Sequence, residues 1–165
     1  MEALRIITEE HQNLWRIATT LDMVADEIDA GGKLEAPFFS SVFDYIEQFM
    51  DLAHHAKEDE YFFPALRARS SEADAILDRL QAEHRNGPEV LKELRAKLAL
   101  TAAGGDNNAA FTSALRTYTQ SLKNHIRTEE KDAMPLAREV LTATDWAGID
   151  RAFLESIASE QGARM

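Results

Sequence analysis

The sequence predicts an all-α protein, an up-down-up-down four-helix bundle with a short C-terminal fifth helix. Three observations predict it. Apolar residues recur at spacings of three and four through four long stretches, and no strand-like alternation interrupts them. Breakers are scarce, with 7 Gly and 4 Pro in 165 residues, against abundant helix formers such as Ala, Leu, Glu and Arg. The stretches are joined by short connections, which make neighbouring helices antiparallel. The length suits one domain, residues 1–165, with the bundle over about residues 2–140.

The first helix is expected from Leu4 to Ile28, where Ile7, Leu14, Ala18, Leu21, Val24, Ala25 and Ile28 form one apolar face, and Gly31-Gly32 stops it. A second, about 30 residues long, opens at Pro37, a residue favoured in a first turn, and carries Phe43, Ile46, Met50, Phe62 and Phe63 toward Pro64 and the Ser70-Ser71 loop. A third runs from about Glu72 to Ala103 and stops at Gly104-Gly105. Within it, Asn86-Gly87-Pro88 is expected to kink or break the helix, because a proline ring clashes with the carbonyl four residues earlier. The fourth runs from about Asn108 to Val140. The short fifth covers about residues 145–160 with Thr144 or Asp145 as N-cap, and its apolar face is Trp146, Ile149, Phe153, Leu154 and Ile157.

The formal net charge of −11 argues against nucleic acid and anionic membranes as partners, since both are bound mainly through Lys and Arg clusters. There is no cysteine, so thiolate metal sites, disulfides and cysteine nucleophiles are excluded, and any metal must take N and O ligands. No apolar run is long enough to span a bilayer and the N-terminus lacks a leader pattern, so the cytoplasm is expected.

The most informative feature is an internal repeat. Glu10-His11-Gln12-Asn13 returns as Glu83-His84-Arg85-Asn86, and Gly31-Gly32 returns as Gly104-Gly105, each 73 residues later. His54, Glu58, Asp59 and Pro64 return as His125, Glu129, Glu130 and Pro135, each 71 residues later. In each half the second helix carries His-x-x-x-Glu, and residues four apart share a helix face, so an imidazole and a carboxylate can meet one metal. Both are good ligands for iron, manganese or zinc. Counted from the helix ends that coincide in an up-down-up-down bundle, His11, His54, His84 and His125 fall within about 6 Å of one height. The candidate metal ligands are therefore His11, His54, Glu58, His84, His125 and Glu129.

These residues resemble the hemerythrin-like (HHE cation-binding) family: an early His, His-x-x-x-Glu followed by Pro, a third His, and a second His-x-x-x-Glu, in order over residues 4–140. The resemblance implies two iron ions with an oxo or hydroxo bridge, Glu58 and Glu129 bridging them, His11 and His54 on one iron, His84 and His125 on the other. Oxygen-carrying hemerythrins resemble His-x-x-x-His at the third element, where this sequence has Pro88, so the set implied is four histidines and an open position on each iron. A similar set is found in proteins that repair iron-sulfur clusters, which carry a cysteine-bearing segment this chain lacks. The function implied is binding or reduction of oxygen, peroxide or nitric oxide in stress response or cluster repair, with a small diatomic or peroxide ligand and an electron donor or iron-acceptor protein as partners. The alternatives are non-catalytic iron storage or donation, and oxygen binding; enzymatic activity would be that of a di-iron peroxidase-like or nitric-oxide-reactive oxidoreductase.

Around this set, His55 lies 100° round an ideal helix from His54 and is read as a polar neighbour whose loss spares the metals. Tyr118, seven residues before His125, is the candidate to hydrogen-bond a bound ligand. Glu10 and Glu83 are read as a solvated acidic face or as a proton relay or iron-entry path, Asp59 and Glu130 as solvent-facing or as acceptors for imidazole N–H groups, and Trp15 as packing over the site. The fifth helix is expected across the metal end of the bundle, shielding the site or gating access to it.

Overall fold

The computed structural model describes residues 1–104 and 108–164, which form five helices, with no strand among the described residues. Helix α1 is Glu2–Asp29, α2 spans 36–69, α3 is Asp74–Ala102 after a single 3₁₀ turn at Ser71–Ala73, α4 spans 108–140, and α5 is Ala143–Arg164. Helices α1 and α4 pack along each other, as do α4 with α3 and α3 with α2, and α2 closes the ring onto α1.

Each helix turns a stripe inward. On α1 the buried residues run Leu4, Ile7, His11, Leu14, Ala18, Leu21, Ala25 and Ile28; on α3 they run Leu77, Leu80, His84, Leu91, Leu94 and Leu98. The histidines thus occupy positions on the core-facing stripe where an apolar residue would otherwise sit. The apolar core is split in two. One block joins Ile7, Phe62, Phe63, Leu66, Leu77 and Met134 to α5, and the other joins Leu14, Leu21, Phe39, Phe43, Leu94, Phe111 and Leu115. The histidines and glutamates form the layer between them.

The repeat is visible in the backbone. Gly31 and Gly104, 73 residues apart, follow α1 and α3 with φ of +101° and +99°, a conformation glycine adopts without penalty. At Gly31 the N–H reaches the Ile28 carbonyl and that of Gly32 reaches the Glu27 carbonyl, a Schellman stop. Gly105, expected to share the second stop, lies outside the described residues.

Four sequence expectations need correction. Pro88 does not break α3, which is continuous through it. A proline ring clashes with the N–H and the Cβ of the residue before it, and here that residue is Gly87, whose lack of a Cβ removes part of the clash. The fifth helix is not short: it covers 22 residues. Its N-cap is neither Thr144 nor Asp145 but Thr142, whose hydroxyl accepts from the Asp145 N–H at 3.1 Å while the Asp145 carboxylate accepts from the Thr142 N–H at 3.0 Å, a reciprocal capping box. Trp146, Ile149 and Phe153 are buried as expected, but Leu154 is exposed.

Helix α5 is fastened at both ends of that block. Arg69 at the end of α2 makes a two-pronged bond to Asp145 (2.7 and 3.0 Å), and Asp150 accepts the Ala3 N–H of α1 at 2.7 Å, serving a first turn that has no cap of its own.

Candidate metal centre

Helix α2 is not a regular α-helix where it carries ligands. Glu47–His54 and Glu58–Phe62 are π-helical, and so is Glu129–Ala133 in α4. For the two shorter stretches the reason lies in the proline that follows each. Pro64 has no N–H for the carbonyl four residues back and its ring crowds that carbonyl, so the preceding N–H, that of Phe63, reaches back five residues to Glu58. In the second half, ahead of Pro135, the Met134 N–H reaches Glu129 in the same way. A third such bond, from the His55 N–H to the Met50 carbonyl, has no proline beside it.

All six residues singled out from the sequence converge. His11, His54, His84 and His125 are buried, and Glu58 and Glu129 are 0% exposed. Glu58 Oε1 lies 3.4 Å from His54 Nε2 and 3.5 Å from His84 Nε2, and its Oε2 lies 4.0 Å from His11 Nε2. Glu129 Oε1 lies 3.6 Å from His11 Nε2, and Oε2 lies 3.5 Å from His125 Nε2. Each carboxylate therefore stands between an imidazole of the first half and one of the second. The rings pair as the repeat pairs them: His11 with His54 and His84 with His125, both at 4.9 Å between centroids.

His55 joins them, against the expectation from sequence. It is buried, stacks on His84 at 3.8 Å between centroids and lies 5.3 Å from His125. Two groups of donor atoms result, His11, His54, Glu58 and Glu129 in one, and His55, Glu58, His84 and His125 in the other. The wide π turns ending at His54 rotate the chain less per residue than an α-helix does, so consecutive side chains diverge less and both face inward.

The outer face of each imidazole explains the acidic residues beside the ligands. His54 Nδ1–H donates to Glu10 (2.8 Å), His84 Nδ1–H to Asp59 (2.8 Å), His125 Nδ1–H to Glu83 (3.2 Å) and His11 Nδ1–H to Glu130 (3.0 Å). The bonds run from each helix to the next: α1 holds the histidine of α2, α2 that of α3, α3 that of α4 and α4 that of α1. Each carboxylate fixes the tautomer that leaves Nε2 bare and pointing inward. Asp51 repeats the arrangement more loosely, 3.7 Å from His55 Nδ1. Glu10 and Glu83 are thus imidazole acceptors rather than a solvated face.

Sequence reasoning missed Lys57. It is 2% exposed, and its ammonium donates to Glu10 Oε2 at 3.1 Å and faces Glu160 of α5 at 3.7 Å. Burial pushes the Glu10 carboxyl up, but its bonds to His54 and Lys57 prevail and hold it below its ordinary value. Hydrogen bonds to His125 and His11 hold Glu83 and Glu130 low as well. Burial drives the imidazoles the other way: His54 falls to about 3, and His55 and His125 fall below the ordinary histidine value. They stay neutral, the form that binds metal. Trp15 lies beneath Lys123 and Arg127, with their cations 5.2 and 4.9 Å from its ring centroid.

The centre has the chemistry of a cation site. The inward Nε2 atoms of His11, His54 and His55 and all four carboxylate oxygens of Glu58 and Glu129 are buried with no hydrogen-bond partner, while His84 and His125 turn Nε2 toward Nε2 at 3.1 Å. Burial raises the Glu129 carboxyl to about 7. Two buried unpaired carboxylates cost several kcal/mol in an apolar layer, and a divalent cation on each group of donors removes that cost.

The family model described as the hemerythrin HHE cation binding domain matches residues 2–137. The chain belongs to this family. No curated protein matches it. The HHE domain thus supplies all five histidines and both glutamates, and only the end of α4 and α5 lie outside the matched span. No described helix is long and apolar enough to cross a membrane.

The carboxylate ring makes a prediction. Asp59→Ala or Glu10→Ala should weaken metal retention about 10- to 100-fold against a competing chelator, the usual cost of losing an imidazole's acceptor. Both should keep the helical circular-dichroism signal. Unchanged retention in both would show that the ring does not orient the ligands.

Proposed function

We propose that the protein holds two iron ions between its four helices and uses them to bind or reduce a small oxidant: oxygen, peroxide or nitric oxide. The observation that carries this reading is the convergence of unpartnered buried Nε2 and carboxylate atoms in two groups that share Glu58. His11 and His54 would hold one ion, His84 and His125 the other with His55 as a further imidazole, and Glu58 and Glu129 would span both. Bound iron would supply electrons to the oxidant, drawn in turn from an external reductant. The chain's own contribution is to keep the imidazoles neutral, fix their tautomers and exclude water with an apolar block above and below.

An iron store or donor is the alternative. A cavity that reaches His55 and His125 from between α2, α3 and α4 favours a reacting site, because a store needs no room for a second molecule. No α5 residue lines that cavity, so α5 caps the bundle end without covering this approach. The test is turnover. Reduced iron-loaded protein should consume many equivalents of peroxide or nitric oxide per chain when a reductant is supplied, and azide should shift its visible absorption. A single stoichiometric oxidation with no turnover would favour the store.

A further inference from the structure

The cavity beside the histidines has a volume of about 310 Å³. That is far more than oxygen, peroxide or nitric oxide needs, since an apolar cavity of about 150 Å³ already admits benzene. It lies at the lower end of the range for small-molecule sites. Met50 of α2, Val90 of α3 and Leu122 of α4 give it apolar walls, while His55, Tyr118 and His125 line it with polar groups.

Two polar side chains at this end have no hydrogen-bond partner, and the nearest imidazole to Asp51, that of His55, is 3.7 Å away. Tyr118 is 5% exposed and its hydroxyl has no hydrogen-bond partner, yet it belongs to neither group of metal donors. Neither carboxylate oxygen of Asp51 has a hydrogen-bond partner, and its side chain is only 5% exposed. Asp51 lies close behind the cavity lining: a Cβ added to Gly87, which lines the cavity, would sit 3.8 Å from Asp51 Oδ1. A buried hydroxyl and a buried carboxylate without partners are costly, and one hydroxyl-bearing ligand can serve both. The carboxylate accepts its O–H and the tyrosine donates to its oxygen.

We propose that this cavity binds a small single-ring phenol, with the ring against Met50, Val90 and Leu122 and the hydroxyl turned to Tyr118 and Asp51 beside His55 and His125. The proposal deepens the reading of the centre as a reacting site by naming the class of organic molecule that approaches it. Binding itself needs only the cavity and its two polar groups. The ligand therefore sits next to the imidazoles of the His84–His125 pair, on a side of the bundle that α5 leaves open.

The test is calorimetric titration of the protein as isolated with phenol, on samples whose metal content is measured in parallel. One phenol per chain should bind. Val90→Phe, which fills the cavity from α3, should abolish binding. Ser121→Trp, placed at an exposed position lining the mouth where folding is not at stake, should abolish it too. Tyr118→Phe should keep the volume and weaken binding about tenfold, the loss of one buried hydrogen bond. Metal content should be unchanged in all three variants. No binding by the parent protein, or equal binding by Val90→Phe and Ser121→Trp, would overturn the proposal. Cavity-dependent phenol binding by protein without metal would uphold it and refute the metal centre instead, whereas two metals per chain without phenol binding would do the reverse.

Discussion

Glu58→Ala and Glu129→Ala should each hold no more than one metal ion per chain where the parent holds two. Both side chains are 0% exposed, and each stands between imidazoles of both halves, Glu58 between His54 and His84 and Glu129 between His11 and His125. Glu58 belongs to both groups of donor atoms, and Glu129 to the His11–His54 group while also facing His125, so losing either would strip a ligand from at least one ion, and no further carboxylate belongs to either group. His55→Ala, which an ideal helix would predict to be harmless, should weaken retention at the His84–His125 position. Metal analysis after dialysis against a mild chelator measures all three. Two ions retained by either glutamate variant would mean that the metals lie elsewhere.

The same glutamates should destabilise the metal-free fold. Burial raises Glu129 to about 7 from an ordinary 4.5, so the unfolded chain releases this proton at lower pH than the folded one. The folded state therefore loses stability from this group as pH rises from 4.5 through 7, and it has lost all of it above that. Glu129→Gln cannot ionise. Relative to the parent, the chelated variant should gain nothing near pH 4.5 and about 3 kcal/mol near pH 8, an increase in melting temperature of roughly 5–10 °C. With metal supplied the order should reverse, because the amide is a poor substitute for a bridging carboxylate. A chelated Glu129→Gln protein that melts at or below the parent at pH 8 would show that the carboxylate is not held at a cost for the sake of a cation.

How much of this was legible in the sequence follows from which geometry was local. The six residues at the centre could be found because i, i+4 spacing fixes a face and the repeat placed four histidines at one height. His55 could not, since the 100° step of an ideal helix was applied to a stretch that is π-helical. Pro64 and Pro135, each six residues after a glutamate, signal the π turns at Glu58–Phe62 and Glu129–Ala133, but the stretch Glu47–His54 that turns His55 inward has no proline beside it. The carboxylate ring was half visible: Glu10, Asp59, Glu83 and Glu130 were marked by the repeat, but which histidine each one meets depends on how neighbouring helices are rotated. Their partners are 25 to 119 residues away. Lys57 gave no signal, because a buried lysine is recognised only by the carboxylates that surround it. The sequence pattern ends α5 too early because its last turns are polar and partly exposed, Gly162 does not stop the helix, and only Glu160 reaches back to Lys57.

Mass spectrometry under non-denaturing conditions, on protein purified from iron-supplied cells, tests the central claim most directly. Two iron ions per chain, accompanied by near-ultraviolet charge-transfer absorption and lost together on acidification as the imidazoles and carboxylates take up protons, is the expected result. A chain without metal, or one that carries only zinc, would contradict it.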